Sequence, residues 1–147
     1  MKAIRLFIYS AGIILLITAS AKFLSAAGAA KVLEAPDPIF TVRFRDLFWF
    51  VGAVEFAVGF ICLFSKRLWL QTVLLLSLAA SFLLYRIGTW WIGFEGYCKC
   101  LGTLTDSIGV SPQNADTLMK FLLGYLTLGS CAAMLFLAKA DRSRAID

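Results

Sequence analysis

The sequence predicts an all-α protein, a bundle of four transmembrane helices. The first observation is composition: 61% of the 147 residues are hydrophobic and 16% are charged, and the mean hydropathy is +0.84. Soluble domains average about 45–50% apolar and about 25% charged residues. The second observation is that four apolar runs reach the roughly 20 residues that a helix needs to cross a hydrocarbon core about 30 Å thick. We therefore expect a single domain, residues 1–147, embedded in a lipid bilayer.

The four predicted helices follow one another with unequal connections. They cover approximately residues 4–24, 47–64, 68–87 and 118–138. Only residues 65–67 separate the second helix from the third, which predicts a tight antiparallel hairpin. Pro36 and Pro38 break any regular element between the first two helices. Ser111 and Pro112 are typical of an N-cap and a first helical position, so the fourth helix should begin before its apolar run.

The distribution of positive charge predicts how the bundle sits in the membrane. The 14 Lys and Arg residues divide evenly between the two sides, but those near the termini and the 65–67 hairpin are concentrated next to helix ends. This density favours both termini in the cytoplasm, so the loop between the last two helices would face the periplasm or an extracellular space. An alternative is that Lys2, Arg5 and Ala19-Ser20-Ala21 belong to a cleavable signal peptide, which would leave three helices.

That loop carries the segment Cys98-Lys99-Cys100. A Cys-x-Cys disulfide closes a smaller ring than Cys-x-x-Cys, so we expect it to be strained and easily reduced. Lys99 favours the thiolate that attacks a disulfide. The pattern predicts thiol–disulfide exchange; the alternative is an inert local staple, or two unrelated reduced thiols. Cys62 and Cys131 lie too deep in their helices to join the pair and are expected to fill the core.

The absence of histidine and the small number of cysteines exclude several classes of function. There is no histidine, which excludes histidine-ligated haem, His-containing zinc sites and Cys-His or Ser-His catalysis. Two thiolates cannot complete a tetrahedral metal site alone, so we expect no metal. The net charge of +5 is accounted for by membrane-flanking Lys and Arg, so nucleic acid is not an expected partner.

Glu55 stands near the middle of the predicted second helix. A carboxylate at that depth must be protonated or paired, and it should face the bundle interior. Lys22 at the end of the first helix and Arg86 at the end of the third can both reach towards it. This intramembrane charge site, Glu55 with Lys22 and Arg86, would either accept a proton beside a redox cofactor or fix the order of the helices as a buried ion pair.

Aromatic residues collect towards the end of the bundle that carries the cysteine pair. They are Phe48, Trp49, Phe50, Tyr85, Trp90, Trp91, Phe94 and Tyr97. Most of them are expected to form an interfacial belt. Trp90, Trp91 and Tyr97 would also suit a quinone ring beside the dithiol, and composition does not distinguish these alternatives.

These residues together resemble the MauE and DoxX-like redox-associated membrane proteins over nearly the whole chain. The matching segments are Thr18-Ala19-Ser20-Ala21-Lys22, Asp37-Pro38, Glu55 within a small-residue helix, and Cys98-Lys99-Cys100-Leu101-Gly102. The resemblance implies a four-helix bundle in the bacterial inner membrane that handles thiols and disulfides of exported proteins, often beside a thioredoxin-like partner. The chain is broadly similar to disulfide-generating quinone reductases too, but those proteins use two external cysteine pairs.

The sequence therefore predicts a membrane thiol–disulfide redox protein in which Cys98 and Cys100 react and Lys99 assists. Its expected partner is a periplasmic thioredoxin-like protein or a disulfide-containing exported protein, and a quinone is a candidate cofactor. The alternative is a non-catalytic accessory subunit of a larger membrane complex. Transport has little support, because one intramembrane carboxylate and no broken helix are visible.

Overall fold

The computed structural model describes residues 2–28, 31–93 and 112–144. Within these ranges the chain forms four α-helices and one short 3₁₀ turn, Lys31–Glu34, and no β-strand. The helices are α1 (Lys2–Ala27), α2 (Phe44–Phe64), α3 (Leu68–Trp91) and α4 (Pro112–Arg144). Each is long and apolar enough to cross a membrane. The prediction of four helices, each long and apolar enough to cross a membrane, is confirmed for the described residues.

Every helix extends beyond the bounds predicted from hydropathy at one end or both. The fourth shows the largest difference, because it begins at Pro112 and continues to Arg144 where the apolar run ends near residue 138. Backbone hydrogen bonds continue a helix into water without apolar side chains, so hydropathy underestimates its length. The start at Pro112 agrees with the proline signal in the sequence; Ser111 lies outside the described residues.

Helices α1 and α2 form an antiparallel pair that approaches most closely at two glycines. A Cβ atom added to Gly59 would lie 3.0 Å from the carbonyl oxygen of Gly12, and one added to Gly12 would lie 3.0 Å from Cβ of Cys62. Small residues let two membrane helices approach at backbone distance and gain dispersion contacts. Gly12 and Gly59 therefore determine how closely these two helices pack.

Helices α3 and α4 form a second pair, and the two pairs meet in an apolar core. The core lies towards the hairpin end of the bundle, where residues 65–67 join α2 to α3. It contains Ile8, Ala11 and Leu15 from α1, Val58 and Cys62 from α2, Leu75, Leu78 and Ala79 from α3, and Leu126 from α4. Cys62 packs in this core as predicted, whereas Cys131 is exposed on α4, so the expectation of a second core thiol was wrong.

The hairpin end is fastened by the side chain of Gln71. Its Nε2 donates to the carbonyl oxygens of Ile61 (3.2 Å), Cys62 (3.0 Å) and Ser65 (2.7 Å). The last carbonyls of a helix have no partner within the helix itself. Gln71, which is buried, therefore caps α2 from the first turn of α3 and fixes the turn between them.

The opposite end of the bundle, called here the loop end, is covered by residues 31–43. Leu33 is fully buried against Ala26 and Phe48. Phe48 is 6% exposed, so its predicted place in an interfacial aromatic belt was wrong: it anchors this connection instead. Trp49 and Phe50 are exposed on α2, as a belt requires.

Asp37 organises the turn that follows. Its Oδ1 accepts hydrogen bonds from the backbone N–H groups of Ile39 (2.9 Å) and Phe40 (2.8 Å). Its Oδ2 accepts one from the hydroxyl of Tyr85 on α3 at 2.5 Å, and the rings of Phe40 and Tyr85 stack. A carboxylate that accepts two backbone donors folds a local turn; the Tyr85 hydroxyl attaches that turn to α3.

Candidate functional site

A cavity of about 780 Å³ lies between the helices at the loop end. All four helices and the 31–43 connection contribute to its wall, which is mostly apolar. Leu15 and Leu126 lie both in the wall and in the apolar core, so the core closes the cavity towards the hairpin end. A volume of this size falls within the range of about 300–1,000 Å³ that is usual for small-molecule sites.

The wall of the cavity contains a buried ion pair between α1 and α2. Nζ of Lys22 lies 2.8 Å from both carboxylate oxygens of Glu55, and the two side chains are 6% and 3% exposed. The hydroxyl of Thr18 donates to Oε2 of Glu55 at 3.2 Å. Of the two partners that helix geometry suggested for Glu55, the structure therefore gives Lys22.

The geometry of this pair follows from the spacing of α1 and from the depth of Glu55. Thr18 and Lys22 are four residues apart and so lie on one face of α1. The Lys22 side chain lies in the largely apolar wall of the cavity. Its Nζ is 6.0 Å from the centre of the Phe82 ring, which is within reach of a cation–π attraction. Both charges are thus neutralised by each other inside the bundle, and the carboxylate is also hydrogen-bonded.

Arg86 forms a different ion pair from the one expected. Its Nη2 donates to Oδ1 of Asp116 on α4 at 2.5 Å, while Nζ of Lys120 lies 2.8 Å from Oδ2 of the same carboxylate. This cluster joins α3 to α4 as Lys22 and Glu55 join α1 to α2. Sequence reasoning missed Asp116, although the spacing of Asp116 and Lys120 is that of an i,i+4 helix pair.

Arg86 and Lys120 also line the cavity, in the half nearer the loop end. We call Arg86, Asp116 and Lys120 the rim cluster. Their side chains are 30%, 13% and 59% exposed, so the cluster is more open than the Lys22–Glu55 pair. The cavity therefore has a buried neutral pair in its wall and, at its rim, two cations that share one carboxylate.

The residues predicted to hold a quinone have different positions. Trp90 lines the cavity and Trp91 is 84% exposed, whereas Tyr97 lies outside the described residues. Cys98, Lys99 and Cys100 lie outside them as well, so the predicted exchange site stays a prediction. Among the described residues, no cluster of Cys, Asp and Glu is arranged to hold a metal ion.

The described residues define a class: a helical bundle with four helices long and apolar enough to cross a membrane, a largely apolar cavity between them and paired charges inside the bundle. No protein-family model, curated protein or solved structure matches the chain.

Proposed function

We propose that this chain is a membrane thiol–disulfide redox protein that supports disulfide formation or maturation of exported proteins. The observation that carries the proposal is the segment Cys98-Lys99-Cys100. Two thiols one residue apart, with a cation between them, suit reversible exchange better than a permanent crosslink. The proposal places the chain among MauE and DoxX-like proteins of the bacterial inner membrane, with both termini in the cytoplasm and the cysteine pair in the periplasm.

The proposed chemistry is a two-step exchange with a partner protein. One thiolate of the pair attacks a disulfide of the partner, which forms a mixed disulfide and releases a partner thiolate. The second cysteine then attacks the mixed disulfide, so the pair becomes oxidised and the partner carries two thiols. Two electrons pass from this chain to the partner; the reverse sequence oxidises a partner dithiol. Lys99 stabilises the attacking thiolate.

The described helices support this proposal through the place where the cysteine segment is attached. Residues 92–111 connect α3 to α4, and both helices bring cavity-lining residues to that same end of the bundle, Trp90 from α3 and Lys120 from α4. The segment that carries the cysteine pair is thus joined in sequence to the two helix ends beside the apolar cavity. Reduction of a membrane quinone is the second route that we propose for the electrons.

The experiment that tests the proposal is trapping of the mixed disulfide. Cys98→Ser and Cys100→Ser variants each keep one thiol, so one of them should accumulate a disulfide-linked complex in native membranes that disappears with reductant. The matched controls are Cys62→Ser and Cys131→Ser, which remove thiols in the spanning helices and should change nothing.

Differential alkylation then reports the redox state of the pair. We expect Cys98 and Cys100 to cycle between disulfide and dithiol at a mild potential. A pair that never changes state, with both cysteines replaceable and the chain copurifying at fixed stoichiometry with other subunits, would replace this proposal by that of an accessory subunit.

A further inference from the structure

We infer that the cavity binds an anionic phospholipid, with the phosphate against Arg86 and Lys120 and one acyl chain inside the bundle. The inference does not rest on the cysteine pair. It rests on three properties of the described residues: the charge balance of the cavity wall, the position of the rim cluster near the ends of two apolar spans, and the volume of the apolar interior.

The charges deep in the cavity wall cancel, and those at the rim do not. Lys22 directs Nζ to both oxygens of Glu55 at 2.8 Å, so that pair attracts no further ion. At the rim, both carboxylate oxygens of Asp116 are used by two cations, Arg86 and Lys120. The three residues of the rim cluster therefore have an excess of one positive charge, which is complementary to one anionic headgroup. The carboxylate of Asp37 at the same end accepts hydrogen bonds from Ile39, Phe40 and Tyr85 and does not line the cavity.

The donors at the rim suit phosphate oxygens. A guanidinium has five N–H donors in a planar fork, and the described contacts of Arg86 side-chain nitrogens use Nη2, towards Asp116. Arginine commonly binds phosphate through two parallel hydrogen bonds. Lys120 is 59% exposed, so its ammonium group can reach a second phosphate oxygen while it remains close to Asp116.

The rim cluster also lies near the ends of two apolar spans. The apolar span of α4 begins at Asp116, and the span of α3 ends at Trp91, so Arg86 is within two turns of the end of its helix. The phosphates of a bilayer lie next to the hydrocarbon core at this level, and basic pockets between transmembrane helices are known to bind anionic headgroups.

The interior of the cavity suits a hydrocarbon chain. Its volume is about 780 Å³, and its wall from the rim to Leu15 and Leu126 is largely apolar. A neutral quinone would fill the same space but would leave the rim charge unused. The excess positive charge is the observation that favours an anionic lipid over a neutral ligand.

The test is lipid titration of the full-length protein in detergent micelles, with native mass spectrometry to count bound lipids. We expect phosphatidylglycerol to bind about fivefold more tightly than phosphatidylcholine of the same chain length, since one excess positive charge near the headgroup contributes about 1 kcal/mol towards an anionic lipid. Arg86→Gln should remove most of this preference. Lys139→Gln removes the same charge at the other end of α4 and should leave the preference intact.

Two further variants make the result decisive if Arg86→Gln does not fold. Lys120→Gln alters an exposed side chain and should reduce the preference about fivefold. Leu123→Trp places a large ring in the cavity wall and should weaken binding of both lipids, with the rim charges unchanged. Equal binding of the two lipids, or equal effects of Lys120→Gln and Lys139→Gln, would overturn the inference. Displacement of phosphatidylglycerol by ubiquinone with no effect of the charge variants would overturn it too, and would assign the cavity to a neutral ligand.

Discussion

Removing one charge of the Lys22–Glu55 pair should destabilise the bundle strongly. Glu55→Gln preserves the size of the side chain but leaves the buried ammonium of Lys22 without its carboxylate. Breaking a buried ion pair from one side costs about 3–5 kcal/mol. Lys22→Met leaves the buried carboxylate of Glu55 with the Thr18 hydroxyl as its remaining hydrogen-bond donor among the described contacts.

The size of each effect has an upper limit, because a stranded group can become neutral instead. Each unit of difference between the solution pH and the reference pKa of a group corresponds to about 1.36 kcal/mol. At pH 7, deprotonating an ordinary lysine therefore costs about 4.6 kcal/mol, and protonating an ordinary glutamate costs about 3.7 kcal/mol. We therefore expect Glu55→Gln to lower the free energy of unfolding by about 3–4.6 kcal/mol. Lys22→Met should lower it by no more than about 3.7 kcal/mol from charge stranding.

The double variant Lys22→Met with Glu55→Gln separates the pair from its two members. Since neither charge is stranded there, most of the loss should be recovered, and the two single effects should be far from additive. The assay is reversible unfolding in mixed micelles with increasing denaturing detergent. The matched control is the Arg45–Glu34 pair, whose side chains are 34% and 47% exposed; its cycle should give less than about 1 kcal/mol. A Glu55→Gln variant as stable as the parent, or strict additivity in the Lys22–Glu55 cycle, would refute the reasoning.

Three further predictions concern the two ends of the bundle and the α1–α2 contact. Tyr85→Phe removes the hydroxyl donor to Asp37 and should cost about 1.5–3 kcal/mol, seen as a lower thermal midpoint and faster amide exchange at residues 39–41. Gln71→Leu leaves the last carbonyls of α2 without their side-chain donor and should cost about 1–3 kcal/mol, with faster exchange confined to the 65–67 hairpin. Gly59→Val places a branched side chain where a Cβ would already lie 3.0 Å from a backbone oxygen of α1, and should cost about 1–3 kcal/mol in the mixed-micelle assay. Gly124→Ala, where nothing lies within 4 Å of the added Cβ, is its control and should be close to neutral.

Hydropathy was sufficient to predict the four spans, because the cost of leaving backbone groups unpaired in lipid makes long apolar runs helical. The pairing of Glu55 with Lys22 was also accessible from sequence, since a charge at that depth requires a partner and Lys22 lies at the end of the neighbouring helix. The ends of the helices were less accessible. The turns at 112–117 and 139–144 carry polar residues, so their helicity depends on propensity and capping that hydropathy does not measure.

The rim cluster and the Asp37 turn could not be predicted in the same way. Asp116 precedes the apolar run of α4. A carboxylate at that position has a small desolvation cost, so its presence in the sequence does not indicate that it needs a partner. Asp37 is a common turn residue, and its bond to Tyr85 joins positions 48 residues apart that meet only once α3 has packed. Phe48 was misassigned for a similar reason, because an aromatic residue near a helix end is typical of an interface unless a connection such as Leu33 folds over it.

The ion pair inside the bundle also has a consequence for biogenesis. Glu55 lies near the middle of α2, and a charged side chain at the centre of an isolated helix opposes insertion by about 2.5–3.5 kcal/mol. Glu55 follows Lys22 by 33 residues, so at a synthesis rate of about 5–20 residues per second the second charge leaves the ribosome about 2–7 s after the first. Because the Lys22 ammonium lowers the free-energy cost of inserting the Glu55 carboxylate, we expect α1 and α2 to enter the bilayer together as a helical hairpin. The same contact that stabilises the finished bundle would then select the correct partner for α2 during insertion.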